Sequence, residues 1–272
     1  MPTASVNGIA LYYEETGRGR PLVWSHGFSC GLRMWAPQVA ALAAHYRVIA
    51  YDARGHGASE APAAAEAYSQ PLSVEDLRGL LRHCGIARAV VGGLSMGGNI
   101  ALNFALAHPE MVDGLIICDT GAGSDGTAEW VAQCEAWAQL LEREGIEAFA
   151  DAIMAHPLLA RYVAQGPTAA RHMRSLVTTH RARGLAHTLR GVLARRPTMY
   201  SLEPKLRQLP VPALLIVGEF DEPCVKVHRF MADAIPGAAP VLIKGVGHMT
   251  NLEDPATFNG LVAQFLRRIH CA

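Results

Sequence analysis

Gly93-Leu94-Ser95-Met96-Gly97-Gly98 is the stretch that decides the fold of this 272-residue chain. Residues 86–92, an apolar and partly β-branched run, precede it and predict a buried strand. Residues 99–107 follow with helical propensity, and His108-Pro109 predicts where that helix ends. A serine between a strand and a helix presents its hydroxyl at the rim of the sheet, and glycines two residues before and after it relieve the crowding of the turn. The pattern therefore predicts a nucleophile elbow at Ser95.

A carboxylate and a histidine follow two later runs that predict strands. Residues 214–217 predict a buried strand, and Asp221 lies on the loop after it. Residues 241–243 predict another strand, and His248 lies beyond it. Ligand sites form at the carboxyl ends of strands in open parallel sheets, so we expect both side chains near Ser95. The order nucleophile, acid, base is one of the known orders of such a triad.

These three residue types suit acyl transfer. A serine hydroxyl needs a base to take its proton, and imidazole can do so because it titrates near neutral pH. A carboxylate then holds the ring in the required tautomer. We predict Ser95 as the nucleophile, His248 as the base and Asp221 as the acid. Three nearby carboxylates compete with the last assignment: Glu219, Glu222 and Asp119.

Several motifs together give the chain a family resemblance. The chain resembles the α/β-hydrolase superfamily over nearly its whole length through these motifs: Ser25-His26-Gly27-Phe28, Asp52-Ala53-Arg54-Gly55-His56-Gly57-Ala58-Ser59, the elbow, and the Asp221 and His248 loops. Residues 247–255 are most similar to small carboxylesterases and to the 3-oxoadipate enol-lactonase group. The resemblance implies an α/β fold with a mostly parallel twisted sheet, helices on both faces and a helical lid inserted after the sixth strand.

The resemblance also implies the rest of the site. Backbone N–H groups of Met96, which follows the nucleophile, and of Phe28 would form the oxyanion hole. The candidate substrate-binding residues are large side chains: Trp35, Trp130, Trp137 and Met249. We interpret the motif that begins at Asp52 as structural, because its glycines shape a turn and its polar side chains can satisfy local hydrogen bonds.

The alternation of strands and helices sets the domain organisation. Residues 3–15 predict an opening hairpin with Asn7-Gly8 as its turn. Strand and helix then alternate, which is typical of a parallel sheet covered by helices. From 123 to 200 only helical patterns occur, such as residues 130–143 and 185–193. We therefore predict a core domain of residues 1–122 and 201–272, and a helical lid of residues 123–200.

Arginines are concentrated in the second half of the predicted lid. No acidic residue lies between Asp151 and Glu203, whereas eight arginines do: Arg161, Arg171, Arg174, Arg181, Arg183, Arg190, Arg195 and Arg196. One interpretation is a solvated face that pairs with acids of the first half, Glu135, Glu142, Glu144 and Glu147. The other is that one arginine points inward and binds a substrate carboxylate in a bidentate manner.

Charge and composition exclude several classes of partner. The 24 basic and 24 acidic residues give a formal net charge of zero, whereas nucleic acids and anionic membranes require a concentrated positive patch. No apolar run approaches the roughly 20 residues that span a bilayer, and the N-terminus lacks a signal-peptide pattern. We predict a cytoplasmic protein, monomeric or homodimeric, whose partner is a small-molecule ester or lactone.

Cysteines and glycines give no indication of a metal or a cofactor. The six cysteines are scattered without metal-ligand spacing, and we interpret them as buried reduced thiols: Cys30, Cys84, Cys118, Cys134, Cys224 and Cys271. A phosphate-binding Gly-x-x-x-x-Gly-Lys-Ser/Thr loop does not occur in the sequence. No cofactor and no metal are therefore expected.

The predicted function is that of a serine hydrolase, which cleaves a small carboxylic ester or lactone through an acyl-enzyme on Ser95. Two alternatives use the same triad: a carbon–carbon bond hydrolase of ring-cleavage products, and a cofactor-free haloperoxidase-like enzyme. By resemblance, the former usually carry tryptophan after the histidine, where this chain has Met249. A non-catalytic binding protein is disfavoured because all three triad residues are present.

Overall fold

A computed structural model describes residues 2–238 and 240–271, with only the backbone of Cys271. The described residues form an eight-stranded sheet in the order β1-β2-β4-β3-β5-β6-β7-β8, whose strands are β1 Thr3–Val6, β2 Ile9–Thr16, β3 Arg20–Ser25, β4 Tyr46–Tyr51, β5 Ala89–Leu94, β6 Val112–Cys118, β7 Ala213–Gly218 and β8 Pro240–Ile243. β1 and β2 are antiparallel to their neighbours, and the other strands run parallel. This confirms the predicted fold class.

Helices follow most of the strands. They are α1 Ala36–Leu42, α2 Gln70–His83, α3 Met96–Ala107, α4 Thr127–Arg143, α5 Gly145–Ala155, α6 Pro157–Val163, α7 Pro167–Val177, α8 Ala182–Thr188, α9 Glu203–Leu206, α10 Glu222–Ala234, α11 Thr250–Glu253 and α12 Pro255–Cys271. In the core, α2 packs on α3, and α1 packs on α12. No helix among the described residues is long and apolar enough to cross a membrane.

Element boundaries near the elbow differ from the prediction. β5 extends to Leu94, two residues further than the predicted strand, and α3 begins at Met96 rather than at residue 99. Every residue of β5 and of β7 is buried. Their unbroken apolar runs are therefore those of central parallel strands, which are covered on both faces.

The opening hairpin has the predicted turn. Val6 pairs with Ile9, so Asn7 and Gly8 form a two-residue connection. Their φ angles are 45° and 78°. A primed turn needs positive φ at both central positions, which asparagine and glycine tolerate. This local chemistry made the turn readable from the sequence.

Between β6 and β7 the chain forms a helical insertion, by which we mean residues 123–200. It contains α4 to α8 and a π-helical segment, Leu189–Leu193, so the helical pattern predicted for residues 185–193 is present but divided. Gly184 of the insertion lies so close to Gly55 that a β-carbon there would collide with the Gly55 carbonyl. The N–H of Gly57 donates to His180 Nδ1 at 2.7 Å. The insertion is thus anchored on the loop after β4, whereas the division into core and lid domains stays a prediction.

The motif on that loop makes internal contacts. Arg54 forms a buried ion pair with Asp76 at 2.6 Å. Asp52 accepts hydrogen bonds from the N–H groups of Leu32 at 2.7 Å and Ala58 at 2.9 Å. These contacts support the structural interpretation of the motif.

The cysteine side chains that the structure describes are free thiols: Cys30, Cys84, Cys118, Cys134 and Cys224. All of them are buried except Cys84, which is partly exposed. The prediction for Cys271 concerns a side chain outside the described residues.

Candidate active site

Ser95 occupies a strained turn between β5 and α3. Its φ of 56° and ψ of −112° are rare for a residue with a side chain, and strain of this kind is concentrated at functional sites. The Ser95 N–H donates to the carbonyl of Cys118 at 2.9 Å. A β-carbon at Gly93 would collide with the Gly97 backbone, and one at Gly97 would collide with the Ser25 carbonyl. The glycines flanking Ser95 are therefore required by the close approach of three backbone segments.

A short hydrogen bond joins the predicted acid and base. His248 Nδ1 lies 2.7 Å from Asp221 Oδ2, and both side chains are buried. Because a carboxylate only accepts, Nδ1 carries the proton and Nε2 keeps its lone pair. Burial opposes ionisation of Asp221, but its electrostatic interaction and hydrogen bond with His248 outweigh burial, so the pKa of Asp221 lies below its ordinary value. Asp221 is thus held as a carboxylate beside the ring.

The three competing carboxylates do not bond to His248. Glu219 accepts the N–H of Gly245 at 2.8 Å, and Glu222 is exposed at the start of α10. Asp119 accepts hydrogen bonds from the Gly218 N–H and the Thr250 hydroxyl. Among these candidates, Asp221 alone is placed as the partner of the histidine.

Glu253 is a site residue that sequence reasoning missed. Its Oε2 accepts the N–H of Gly247 at 2.8 Å, and its Oε1 accepts the N–H of Met249 at 3.0 Å. Only 1% of its side chain is exposed, so these bonds satisfy a buried carboxylate. They fix the backbone on either side of His248. No sequence pattern distinguishes this role from that of an ordinary helix-terminal glutamate.

Ser95 and His248 face one narrow cavity of about 30 Å³ beneath the helical insertion. Within the described residues, Ser95 Oγ makes no hydrogen bond to the ring in this conformation, and such bonds often tighten only when substrate binds. Apart from these two side chains, the walls are apolar: Gly27, Phe28, Cys30, Leu94, Trp130, Trp137, Ile153, Leu158, Leu159, Leu193 and Met249. Six of the thirteen lining residues belong to the insertion.

Two backbone amides point to an oxyanion hole. Met96 is the first residue of α3, where the N–H groups lack partners within the helix and the helix dipole is positive. Phe28 lines the cavity from the loop after β3, and its pairing with Met96 as an oxyanion hole stays a prediction. The N–H of Ala53 donates to His26 Nε2 at 2.9 Å, so Nδ1 carries the proton and donates to the Gly27 carbonyl at 2.7 Å. His26 therefore fixes the backbone next to Phe28.

The predicted substrate-binding residues divide into two groups. Trp130, Trp137 and Met249 line the cavity. Trp35 does not line this cavity; it is fully buried and stacks on Trp24 with ring centroids 4.3 Å apart. Both residues are large apolar aromatics in the sequence, and only the tertiary fold separates a core position from a cavity wall.

The arginines of the insertion do not reach the cavity. Arg174 pairs with Glu147 and Asp151, and Arg190 pairs with Glu135 and Glu142. This agrees with the interpretation of a paired, solvated face. Two more arginines donate to backbone carbonyls, Arg161 to Gly245 at 2.7 Å and Arg196 to Ala122 at 2.7 Å. None of the eight arginines lines the cavity that Ser95 faces.

One group of side chains has metal-ligand chemistry. Donor atoms of Asp221, Cys224 and His248 lie within 4.8 Å of one another, and all three residues are buried. The hydrogen bond between Asp221 and His248 already accounts for the closeness of those two groups. Because Asp221 bonds to Nδ1 of the ring, the other ring nitrogen, Nε2, is left to accept and release a proton.

Comparisons with known proteins give the family of the chain. A family model described as the alpha/beta hydrolase family matches residues 22–261. A putative 2-succinyl-6-hydroxy-2,4-cyclohexadiene-1-carboxylate synthase of Bacillus subtilis is 27% identical, over 96% of this chain and 95% of that protein. The solved structure of the enol-lactonase from Burkholderia xenovorans is 32% identical with a TM-score of 0.84, covering 98% of this chain and all of the other. A thermophilic esterase from Thermogutta terrifontis is 29% identical with a TM-score of 0.88, covering 99% and 98% of the two chains.

Proposed function

This chain belongs to the alpha/beta hydrolase family, and from that premise we propose that it is a serine hydrolase that cleaves a small carboxylic ester or lactone through an acyl-enzyme on Ser95. One observation carries the proposal. His248, which is hydrogen-bonded to Asp221, lines the same cavity as the strained Ser95. Likeness to an enol-lactonase and to an esterase supports the same reaction class.

The proposed reaction has two halves. In the first, Ser95 Oγ attacks the substrate carbonyl while His248 Nε2 takes its proton, and the N–H groups of Met96 and Phe28 stabilise the oxyanion. His248 then returns the proton to the leaving oxygen, which releases an alcohol or opens the lactone ring. In the second half, His248 activates water, which attacks the acyl-enzyme and frees the carboxylic acid and Ser95. Losing one oxyanion donor would cost about 2.7–4 kcal/mol of transition-state stabilisation.

The cavity walls support an uncharged substrate. The name of the Bacillus subtilis relative specifies a carboxylate. In this chain, two of the residues that line the cavity have an ionisable imidazole or thiol, His248 and Cys30. His248 must be neutral to act as the base. A carboxylate without a partner in such a space carries a desolvation penalty of several kcal/mol. The acyl group that fits best is therefore small and apolar.

Paired substrates test this function. We expect hydrolysis of short p-nitrophenyl esters and of simple lactones, and loss of turnover in Ser95→Ala with the fold intact by circular dichroism. An ester with a distal carboxylate should have a kcat/KM at least tenfold below that of its neutral isostere, which corresponds to about 1.4 kcal/mol of discrimination. Equal values for the two isosteres would contradict the uncharged-substrate assignment. Full turnover by Ser95→Ala would contradict the acyl-enzyme.

A further inference from the structure

The end of β6 contacts the elbow through residues that follow the strand. The Cys118 carbonyl accepts both the Ser95 N–H at 2.9 Å and the Thr120 hydroxyl at 2.7 Å. The Thr120 N–H donates to His228 Nε2 of α10 at 3.0 Å. In the chain, Asp119 lies between Cys118 and Thr120, and it is fully buried. The segment thus lies where the loops of the proposed site meet.

Asp119 connects the two loops that carry the proposed acid and base. Its Oδ1 accepts the N–H of Gly218 at 2.9 Å, and Gly218 is three residues before Asp221. Its Oδ2 accepts the hydroxyl of Thr250, which is two residues after His248. Its own N–H donates to the Ile216 carbonyl of β7 at 2.9 Å. One side chain therefore bonds to both loops at once.

The backbone at Asp119 is bent to make this possible. Its φ of 45° lies in the left-handed region, which is uncommon for a residue with a β-carbon. A strained conformation persists when the surrounding structure over-determines it, and such positions cluster at functional sites. Gly218 and Gly247 are in close backbone contact, since a β-carbon on Gly218 would collide with the Gly247 carbonyl. The two loops are thus adjacent, and Asp119 links them from the β6 side.

We propose that Asp119 is a positioning residue, which holds the Asp221 loop and the His248 loop together so that the hydrogen bond between Asp221 and His248 keeps its geometry. It does not touch the ring, so it is not the acid itself. This inference rests on the proposed hydrolase function. It goes further because it assigns a role to a buried carboxyl that the reaction does not use.

The charges around Asp119 fit this role. Burial, followed by the nearby charges of Asp221 and, more weakly, Glu253, raises the pKa of Asp119 well above its ordinary value. The thiols of Cys118 and Cys224 also face it. The negative charge of the two aspartates is thereby favoured on Asp221, next to the histidine. A neutral carboxyl at Asp119 still offers an oxygen to the Gly218 N–H.

The test compares variants that remove one or both links. Asp119→Ala removes both, Thr250→Val removes one hydroxyl, and Asp119→Asn keeps an oxygen acceptor. Thr188→Val is the matched control, because it removes a buried threonine hydroxyl that bonds within the insertion to Gly184. Each variant is assayed on a neutral ester for kcat, KM and the pH profile of kcat/KM, with circular dichroism and fluorophosphonate labelling of the same samples.

We expect kcat to fall about tenfold or more in Asp119→Ala with little change in KM, as for an interaction realised mainly in the transition state. Loosening the carboxylate from the ring weakens the stabilisation of the imidazolium, so the acid limb of the pH profile of kcat/KM should move to lower pH. Asp119→Asn should recover most of kcat. In Thr250→Val, kcat should fall several-fold. The double variant Asp119→Ala/Thr250→Val should have the same kcat as Asp119→Ala, because the two residues share one hydrogen bond and their effects are not additive.

The outcomes separate this inference from the proposed function. A wild-type protein that neither hydrolyses esters nor reacts with the fluorophosphonate contradicts the hydrolase proposal. An active wild type with unchanged kcat and acid limb in Asp119→Ala overturns the positioning role alone, as does a change in thermal stability without either kinetic change. Should Asp119→Ala fail to fold, Thr250→Val decides: activity equal to that of Thr188→Val overturns the inference.

Discussion

The carboxylate of Glu253 brackets His248. It accepts the backbone N–H groups of the residues immediately before and after the histidine, at 2.8 and 3.0 Å. Asp221 accepts a hydrogen bond from the ring of His248, and Glu253 fixes the backbone on both sides of that residue. The ring orientation is therefore fixed by two carboxylates with different tasks.

Removing the Glu253 carboxylate should lower both the free energy of unfolding and kcat. Glu253→Ala leaves two N–H donors without their acceptor, and we expect it to lower the free energy of unfolding by about 1–3 kcal/mol and to reduce kcat. Urea unfolding and ester hydrolysis measure the two effects. The exposed Glu66→Gln is the control. Wild-type kcat in Glu253→Ala would show that the bracket is dispensable.

Replacing the acid should be far more damaging than replacing its neighbour. Asp221→Asn favours the wrong tautomer of His248, and a comparable change in a known triad lowers kcat by roughly 10⁴-fold. Glu222 is the next residue in the chain and is exposed. Glu222→Gln should therefore keep kcat within about twofold of the wild-type value, because surface substitutions usually have small effects. Comparable losses in the two variants would contradict the assignment of Asp221.

Three buried histidines should make the protein sensitive to mild acid. Burial lowers the pKa values of His26, His180 and His228 to about 4, against an ordinary value of about 6.5. Between these two pH values the unfolded chain binds protons that the native protein does not. The free energy of unfolding should therefore fall as the pH is lowered from about 6.5 to about 4.

His180 offers a direct check of this dependence. The rings of His56 and His26 and the carboxylate of Asp52 face it, and its Nδ1 accepts the Gly57 N–H. In His180→Asn an amide oxygen can accept the same N–H without titrating. We expect a shallower pH dependence in urea unfolding, by at most about 1.4 kcal/mol per pH unit. The exposed His45→Asn is the control, and equal slopes in both variants would contradict the interpretation.

A core aromatic and a cavity-lining leucine should respond differently. Trp35→Ala should lower the free energy of unfolding by about 3–5 kcal/mol, because it opens a void beside Trp24.

Leu158→Ala enlarges the cavity next to Ser95 and should shift the preference towards longer acyl chains. A series of p-nitrophenyl esters and urea unfolding measure the two effects. A change of acyl preference in Trp35→Ala at unchanged stability would contradict the placement of Trp35.

Features set by local chemistry were predictable from the sequence. The elbow needs glycines at Gly93 and Gly97, the hairpin turn needs positive φ at Asn7 and Gly8, and both requirements are visible as residue types at fixed spacing. Acidic and basic side chains that follow strands could likewise be assigned to one edge of the sheet. Such constraints act within a few residues.

Features set by tertiary contact were not predictable. Trp35 and Trp137 have the same chemistry, and only packing against Trp24 places the first in the core. Asp119 seemed a competing acid because it too follows a strand, yet its backbone bend directs it to Gly218 and Thr250. One-dimensional spacing does not encode which partner a buried carboxyl meets across the fold.

The central claim, a covalent reaction at Ser95, is tested most directly by trapping. The protein is treated with a fluorophosphonate, and the adduct is located by intact mass and peptide mapping. We expect one phosphonyl group per chain on the peptide that contains Ser95, and none in Ser95→Ala. An unlabelled wild-type protein, or a label on any other residue, would contradict it.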